Sequence, residues 1–507
     1  MNPGDVAFLA LYLAVLAGLS LYGAHRYHLA WLYTRHKGRP WVAPRVDPAA
    51  PVPFVTVQLP LYNERYVAER LLEATARIDW PRDRLEIQVL DDSTDNTVEL
   101  VARTVSRLRA LGHDIVHLRR PARSGFKAGA LADGLRQARG ELVAIFDADF
   151  VPPADFLRRT VPFFAEPGVG MVQARWDHIN RDYSWLTQAQ SVLLDGHFLV
   201  EHTARNRSGR FFNFNGTAGI WRRTAIDDAG GWDHDTLTED LDLSYRAQLR
   251  GWRFIFLPDL VAPAEVPVDM NAFKAQQHRW AKGSIQVARK LLPTILRSPQ
   301  PLRVKLEALV HLSGNLGYVL MTLLALMIPY ALHLRALDQT PTFMFVDLPF
   351  FLGATVSVCV FYLLSQRELG RPRLARWLQL PVVLALGIGL ALNNSRATLE
   401  ALLGRPSPFV RTPKLGVQRR GDTLKGMAYG VRRHTLAFVE VGFGLVYTAT
   451  VVEALRQGFW AAVPFLLLFQ FGFLFAGLGS LFPATTSPRG APATQEGAGA
   501  PDRGSIV

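Results

Sequence analysis

Glu141-Leu142-Val143-Ala144-Ile145-Phe146-Asp147-Ala148-Asp149 is the stretch from which the rest of the chain is read. Its first six residues are a short apolar run of the kind found in buried strands, and it ends on two acids one residue apart. At the carboxyl end of a strand in an α/β sheet, such a pair sits where ligands bind. Hard divalent cations take oxygen ligands and commonly share them with phosphates. Mg²⁺ or Mn²⁺ held by Asp147 and Asp149 against a diphosphate is therefore one reading. A solvated turn is the other, and the surroundings of the motif decide between them.

Upstream, residues 55–59, 85–90 and 115–118 read as strands, with helices over 64–77, 97–111 and 127–139. With a fourth strand at 142–146, this alternation predicts an α/β domain with a mostly parallel sheet, covered on both faces, over residues 54–268. Two loops follow strands and should reach the same carboxyl edge: Pro60-Leu61-Tyr62-Asn63-Glu64 and Asp91-Asp92-Ser93-Thr94-Asp95. An acid there can accept hydrogen bonds from a base or a ribose, although Ser93 or Asp95 can equally cap the next helix. No Gly-X-Gly-X-X-Gly and no Walker loop is present, which argues against a Rossmann dehydrogenase and a P-loop NTPase.

Lys127 opens a helix, where a cation opposes the macrodipole, so an anionic ligand explains it better than helix stability does. Glu239 and Asp240 start another helix. They are ordinary dipole partners unless that loop faces the metal site, in which case Asp240 is a candidate general base for an acceptor hydroxyl. Gln276-Gln277-His278-Arg279-Trp280 offers an amide, a fixed cation and an indole that could stack on a sugar, or else pack in a core or anchor in a bilayer.

The chain of 507 residues is 49% hydrophobic and 20% charged, with a net charge of +13. The apolar residues are concentrated near the N-terminus and after about residue 309. Basic residues crowd beside these runs, so an anionic membrane surface, and not nucleic acid, is the expected partner. Cys359 is the one cysteine, which excludes an intrachain disulfide and fits a reducing compartment for the soluble part. Residues 6–25 are long enough to span a bilayer, and Arg26, Arg35, Lys37 and Arg39 follow. The positive-inside rule then places the N-terminus outside and the next domain in the cytoplasm; a multi-pass protein of the plasma (inner) membrane is the expected localisation.

The expected layout is a transmembrane helix with a basic flank (1–39), a proline-rich linker (40–53) and the α/β domain (54–268). An amphipathic interface helix (269–300) follows, with Lys274, Arg279, Lys282, Arg289 and Lys290 on its polar face. Then come transmembrane or re-entrant segments (301–392), a basic cytoplasmic loop (393–435), two transmembrane helices (436–482) and a disordered tail (483–507). Residues 405–433 hold eight Lys or Arg and one acid, Asp422. Three full spans before that loop would put it outside. A re-entrant third segment, ended early by Asn393-Asn394-Ser395-Arg396, removes the conflict.

Taken in order, Asp91-Asp92, Asp147-X-Asp149, Thr238-Glu239-Asp240 and Gln276-X-X-Arg279-Trp280 resemble the motifs of membrane-embedded family 2 glycosyltransferases. The similarity is greatest to the cellulose-synthase-like mannan and glucomannan synthases, and it includes Phe214-Asn215-Gly216-Thr217-Ala218-Gly219. The resemblance implies a GT-A fold and a metal-dependent, inverting hexosyltransferase that uses a nucleotide sugar, UDP-glucose or GDP-mannose. It implies that Asp91 and Asp92, with Asn63 and Glu64, bind the nucleotide and that Lys127 lies near the diphosphate. Asp149 with Asp147 would hold the metal and Asp240 would be the base. Glu239, Gln276, Arg279, Trp280, Phe214, Asn215 and Gly216 would shape the acceptor and diphosphate site. Phe409, Thr412 and Lys414 match a Phe-X-Val-Thr-X-Lys gating loop, with Arg411 in place of the valine. A growing β-glycan is the expected acceptor, made processively and exported, with no export partner named by the sequence. Two alternatives are a single-addition lipid glycosyltransferase of the ceramide glucosyltransferase type, and a membrane scaffold or transporter with a degenerate nucleotide domain.

Overall fold

The computed structural model describes residues 3–45, 47, 49–337, 349–407, 410–422, 424, 427, 429 and 435–482. Seven strands form one sheet: β1 (Val55–Leu61), β2 (Leu85–Asp91), β3 (Ile115–Leu118), β4 (Leu142–Ile145), β5 (Val169–His178), β6 (Gly219–Arg222) and β7 (Arg253–Ala264). Their order is β3-β2-β1-β4-β6-β5-β7. β1 runs parallel to β2 and β4, β2 to β3, and β5 to β7, while β6 is antiparallel to both β4 and β5. Alternate side chains serve two cores: Leu142 and Ala144 join one apolar cluster, Val143 and Ile145 the other. That is the pattern of strands buried on both faces.

The four strands read from the sequence are present, and so are their helices, at Ala68–Ala76, Thr97–Ala110 and Phe126–Gln137. The first starts later than expected because Asn63–Val67 is spent on a turn at the cleft. The proline-rich 40–53 segment is tied down at one point, where the Trp41 indole donates to Asn206 Oδ1 at 2.7 Å.

Among the described residues five helices are long and apolar enough to cross a membrane: Pro3–His36, Leu316–Arg335, Pro349–Glu368, Leu436–Arg456 and Val463–Leu481. A sixth apolar stretch is a pair, Arg373–Gly389 and Ala391–Leu402, bent by 41°. The bend falls at Gly389-Leu390. Asn393, Asn394 and Ser395 therefore do not end the segment as expected. They lie buried inside the second helix, where Asn393 donates to Lys274 O at 3.0 Å and Ser395 to Tyr318 O at 2.7 Å. The basic loop accordingly begins after Leu402, not at 393.

The Met270–Arg297 helix departs most from expectation. Its cations face protein carboxylates and carbonyls, not headgroups. Lys274 and Lys282 are 1% exposed. Lys274 pairs with Glu440 at 2.6 Å, and Lys282 reaches Arg405 O at 2.7 Å and Glu400 at 3.2 Å. Arg289 donates to Ala401 O at 2.6 Å. A buried charge persists only with a partner. The helix is thus clamped between the sheet domain and the later helices, carrying Gln276, Arg279 and Trp280 with it.

Candidate active site

The carboxyl ends of the strands open on one cleft, lined by Tyr62, Glu64, Asp92, Lys127, Asp147, Asp149, Asn215, Gly216, Glu239, Asp240, Gln276, Arg279, Trp280, Thr412 and Lys414. Most of the site residues singled out in the sequence converge there. Among the described residues three that are not glycine take left-handed backbone, Asn63 (φ 55°), Phe126 (φ 50°) and Ala218 (φ 53°). Each lies within two residues of a cleft residue, and strain of this kind concentrates at functional sites.

Asp147 and Asp149 follow β4. The Asp147 N–H donates to Thr217 Oγ1 at 2.8 Å, which fixes the loop. Its carboxylate accepts from Lys127 Nζ, which also donates to Gly216 O at 2.9 Å. Asp149 Oδ2 accepts from Lys414 Nζ at 2.7 Å and from the Glu265 N–H at 3.2 Å. Burial raises the pKa of Asp147 against the pull of Lys127, and it lowers that of Lys127 less than Asp147 and Glu239 raise it. Each carboxylate pairs with a lysine through one oxygen, Asp147 Oδ1 and Asp149 Oδ2, which leaves Asp147 Oδ2 and Asp149 Oδ1 as the oxygens a divalent ion could take.

Asp240 begins the Glu239–Leu249 helix. Burial first, then the neighbouring Glu239 charge, push its pKa up to about 7, with Lys127 opposing. Gly216 faces it: a Cβ there would lie 3.0 Å from Asp240 Oδ2 and 3.3 Å from Lys127 Nζ, and its φ is +78°. Only glycine satisfies both conditions at once.

Three expected residues lie elsewhere. Asp91 is 1% exposed beneath the cleft, its oxygens taken by His117 Nε2 at 2.8 Å and the Ser93 N–H at 2.9 Å. Asn63 holds the neighbouring loop, its N–H donating to Ser93 Oγ at 2.8 Å and its Oδ1 accepting from the Thr94 N–H at 2.8 Å. Phe214 is fully buried, edge-on to Trp221 with ring centroids 5.6 Å apart, so it packs the core and does not face a sugar. Phe409 lies outside the described residues. Asp92 does face the cleft, gripped by Arg120 at 2.5 and 3.0 Å.

The basic segment after Val410 closes the cleft. Thr412 Oγ1 accepts from Arg279 at 2.9 Å, and Gly416 N donates to Glu265 Oε2 at 3.0 Å. Arg411, where a valine was expected, forms a two-pronged pair with Glu64 at 3.0 and 2.9 Å. Burial nonetheless raises Glu64 to about 7. Arg411→Ala should therefore loosen the segment, with trypsin cutting at Arg419 and Arg420 at least tenfold faster, since breaking a largely buried pair costs a few kcal/mol and about 1.4 kcal/mol is already a factor of ten. An unchanged cutting rate would mean that Lys414 and the Tyr429–Asp95 hydrogen bond hold the segment unaided.

Residues 51–283 match the family model described as "Glycosyltransferase like family 2". Glucomannan 4-beta-mannosyltransferase 2 of Arabidopsis thaliana is 38% identical over 397 residues, 76% of this chain and 71% of that protein. Glucomannan 4-beta-mannosyltransferase 1 of Oryza sativa subsp. japonica is 38% identical over 375 residues, 72% of this chain and 70% of that one. The chain belongs to the family 2 glycosyltransferases, with the cellulose-synthase-like glucomannan synthases. The mannosyltransferase PcManGT from Pyrobaculum calidifontis, solved with GDP-Man and Mn²⁺, superposes with a TM-score of 0.53 at 23% identity, over 78% of this chain and all of that one, and agrees in fold. A membrane-bound glycosyltransferase that builds a β-glycan from a nucleotide sugar is the reading that stands, and the lipid-acceptor alternative does not fit these relatives.

In this glycosyltransferase Glu265 and His178 are cleft residues that carried no sequence motif. Glu265 follows β7 directly and joins Arg70 (2.6 Å) to Asp149 and Gly416. An acid immediately after a strand was its only signal, the same one that marked Asp147. His178 ends β5, 7% exposed, its pKa lowered by burial to about 4. Only the fold shows that it borders the cleft.

Proposed function

We propose that this enzyme transfers mannose from GDP-mannose, with inversion, to the 4-hydroxyl of a growing β-mannan or glucomannan chain. The placement of Asp240 in one cleft with Lys127 and the Asp147–Asp149 pair carries the reading. Asp240 removes the acceptor proton as the hydroxyl attacks the anomeric carbon. Lys127 sits where negative charge grows on the departing diphosphate and offsets it. A single base and a single leaving group on opposite faces of the sugar give one displacement, so an α-linked donor yields a β-linked product. Asp147 and Asp149 would hold Mg²⁺ or Mn²⁺, which supplies further positive charge at the diphosphate. The Arg411–Lys414 segment excludes water during transfer, and Trp280 offers a stacking face for the acceptor. Successive additions with export through the adjoining helices follow from the same arrangement.

The names of the relatives favour mannose, and UDP-glucose is the competing donor. The test is product formation by the detergent-purified protein with Mn²⁺ or Mg²⁺ and each donor in turn. Long products cut by a β-mannanase support the proposal. Products cut only by a β-glucanase, or nucleotide release only when a lipid is added, overturn it.

Lys414 reaches Asp149, so the basic segment lies on the sheet's side of the membrane. Two spans, Leu316–Arg335 and Pro349–Glu368, separate the two in sequence. The bent pair at 373–402 is therefore re-entrant in this reading, and the positive-inside rule makes the shared side cytoplasmic. In a Cys359→Ser background, Gln418→Cys should react with an impermeant maleimide in inside-out vesicles and not in intact cells. The opposite pattern reverses the topology.

A further inference from the structure

Asn215 lines the cleft beside Gly216, and its side chain is held from behind by two histidines. Its Oδ1 lies 2.5 Å from His202 Nε2, and its Nδ2 lies 3.0 Å from His197 Nε2. An amide nitrogen only donates and an amide oxygen only accepts. His197 Nε2 must therefore be the acceptor, which leaves its proton on Nδ1, where Glu201 Oε2 receives it at 3.1 Å. His202 Nε2 must be the donor, and its Nδ1 has no partner among the described residues. Burial holds His202 well below the usual histidine range, so it stays neutral. With the amide reversed, a neutral His197 would have no proton on Nδ1 to give Glu201, and His202 would carry a buried Nδ1–H with no partner among the described residues.

The backbone explains why two histidines five residues apart meet one side chain. In an α-helix of 3.6 residues per turn they would point to well-separated faces. Gly196–His202 is instead a π-helix, whose hydrogen bonds run from residue i to i+5, and such turns recur at functional sites. The turn is pinned by Gly196, where a Cβ would come within 2.6 Å of the Phe361 ring and 2.8 Å of the Tyr362 ring. Glu201 is anchored in turn: Arg205 reaches it at 3.1 Å and Glu307 at 2.8 Å, and Glu307 pairs with His25 of the first membrane helix at 3.1 Å.

We infer that His197 and His202 are positioning residues that lock the Asn215 amide so that its remaining N–H and carbonyl lone pair read a hydroxyl group of the acceptor sugar. This inference rests on the transferase reading of the cleft. The two histidines use one hydrogen and one lone pair of the amide. What remains is one donor and one acceptor, the pair that matches a hydroxyl. A site built to hydrogen-bond a hydroxyl discriminates strongly because its buried polar groups are left unpaired without it.

The test uses the full-length enzyme with GDP-mannose, Mn²⁺ and β-1,4-mannohexaose, after the parental protein has been shown to transfer mannose. Absence of that parental transfer would be a failure of the functional reading, not of this one. His202→Phe should raise the acceptor KM about tenfold while acceptor-free hydrolysis of the donor changes less than threefold. His202→Gln, which restores a donor, should stay within threefold of the parental acceptor KM. The double variant His202→Phe/Asn215→Ala should be no worse than Asn215→Ala alone, since the histidine acts only through the amide. An unchanged acceptor KM in His202→Phe overturns the inference. So does an additive double variant, or an equal loss of hydrolysis and transfer in both His202 variants, because His202 would then support the fold and not the amide.

Discussion

Asp240→Asn should lower kcat by about 10²–10⁴-fold, the range lost with a positioned general base, while donor affinity changes by less than threefold. The substitution keeps the shape and the hydrogen bond that Oδ1 accepts from the Leu241 N–H at 2.8 Å, so the helix start survives. It removes only the ability to take a proton. Donor affinity should be spared because Lys127, whose Nζ is held by Asp147 and Gly216 O, does not depend on Asp240 for its place. Nucleotide release in single turnover and a donor titration separate the two quantities. Turnover within threefold of parental would sink the base assignment, and Glu239, buried beside it, would be the next group to test.

The same residue sets a pH profile. Burial and Glu239 raise its pKa to about 7, so its neutral form dominates below that value. A base works only when deprotonated, so kcat/KM should fall about tenfold per pH unit below 7 and level off above it. Glu64, also raised to about 7, titrates in the same window, and below it the Arg411 pair weakens. Arg411→Ala distinguishes the two: it removes the Glu64 contribution and should leave the Asp240 limb in place.

How much of this was legible beforehand follows from where the information lies. The parallel half of the sheet could be read because buried parallel strands are continuous apolar runs, as in 142–146, and because their loops carry the acids. β6 could not: Gly219–Arg222 is four residues long and lies antiparallel between strands far from it in sequence. The cleft acids were found because a carboxylate at a strand end is a local pattern. Asp91 and Phe214 were misplaced because adjacent residues on a strand or its flank point to opposite sides, so only one of Asp91 and Asp92 could face the cleft. The cations of the Met270–Arg297 helix were assigned to a bilayer because nothing local announces that Glu440 and Glu400 come to meet them from well over a hundred residues away. Arg411 was marked as a defect in a gating pattern, yet its partner, Glu64, sits in the first loop of the domain. The two histidines behind Asn215 left no trace in the sequence because only a π turn brings them to one face.

Asp149→Asn should cost on the order of 10³-fold in kcat, about 4 kcal/mol of barrier, as expected for loss of a cation that offsets leaving-group charge. Asp149 is 3% exposed, and its Oδ2 already collects Lys414 and the Glu265 N–H. A neutral amide at that position cannot balance a divalent ion, and it also strands the Lys414 ammonium. Asp147 and Asp149 supply two carboxylates and no third acid closes the set; among the described residues the one group of three close acids is Asp233, Asp235 and Asp242. Two carboxylates leave most of an octahedral shell to water and to the donor's phosphate oxygens. Donor and Mn²⁺ should therefore bind cooperatively in the parental protein: Mn²⁺ should tighten GDP binding, and Asp149→Asn should remove that enhancement while leaving metal-free GDP affinity nearly unchanged. This readout needs no turnover. If the enhancement survives in Asp149→Asn, the ion sits elsewhere, and the Asp233 group becomes the site to examine. Lys290 already lies 2.9, 2.8 and 3.1 Å from those three carboxylates, so an ion there would first have to displace it. Lys290→Met would then raise Mn²⁺ affinity, whereas with the cation on Asp149 it should change neither Mn²⁺ affinity nor its effect on GDP.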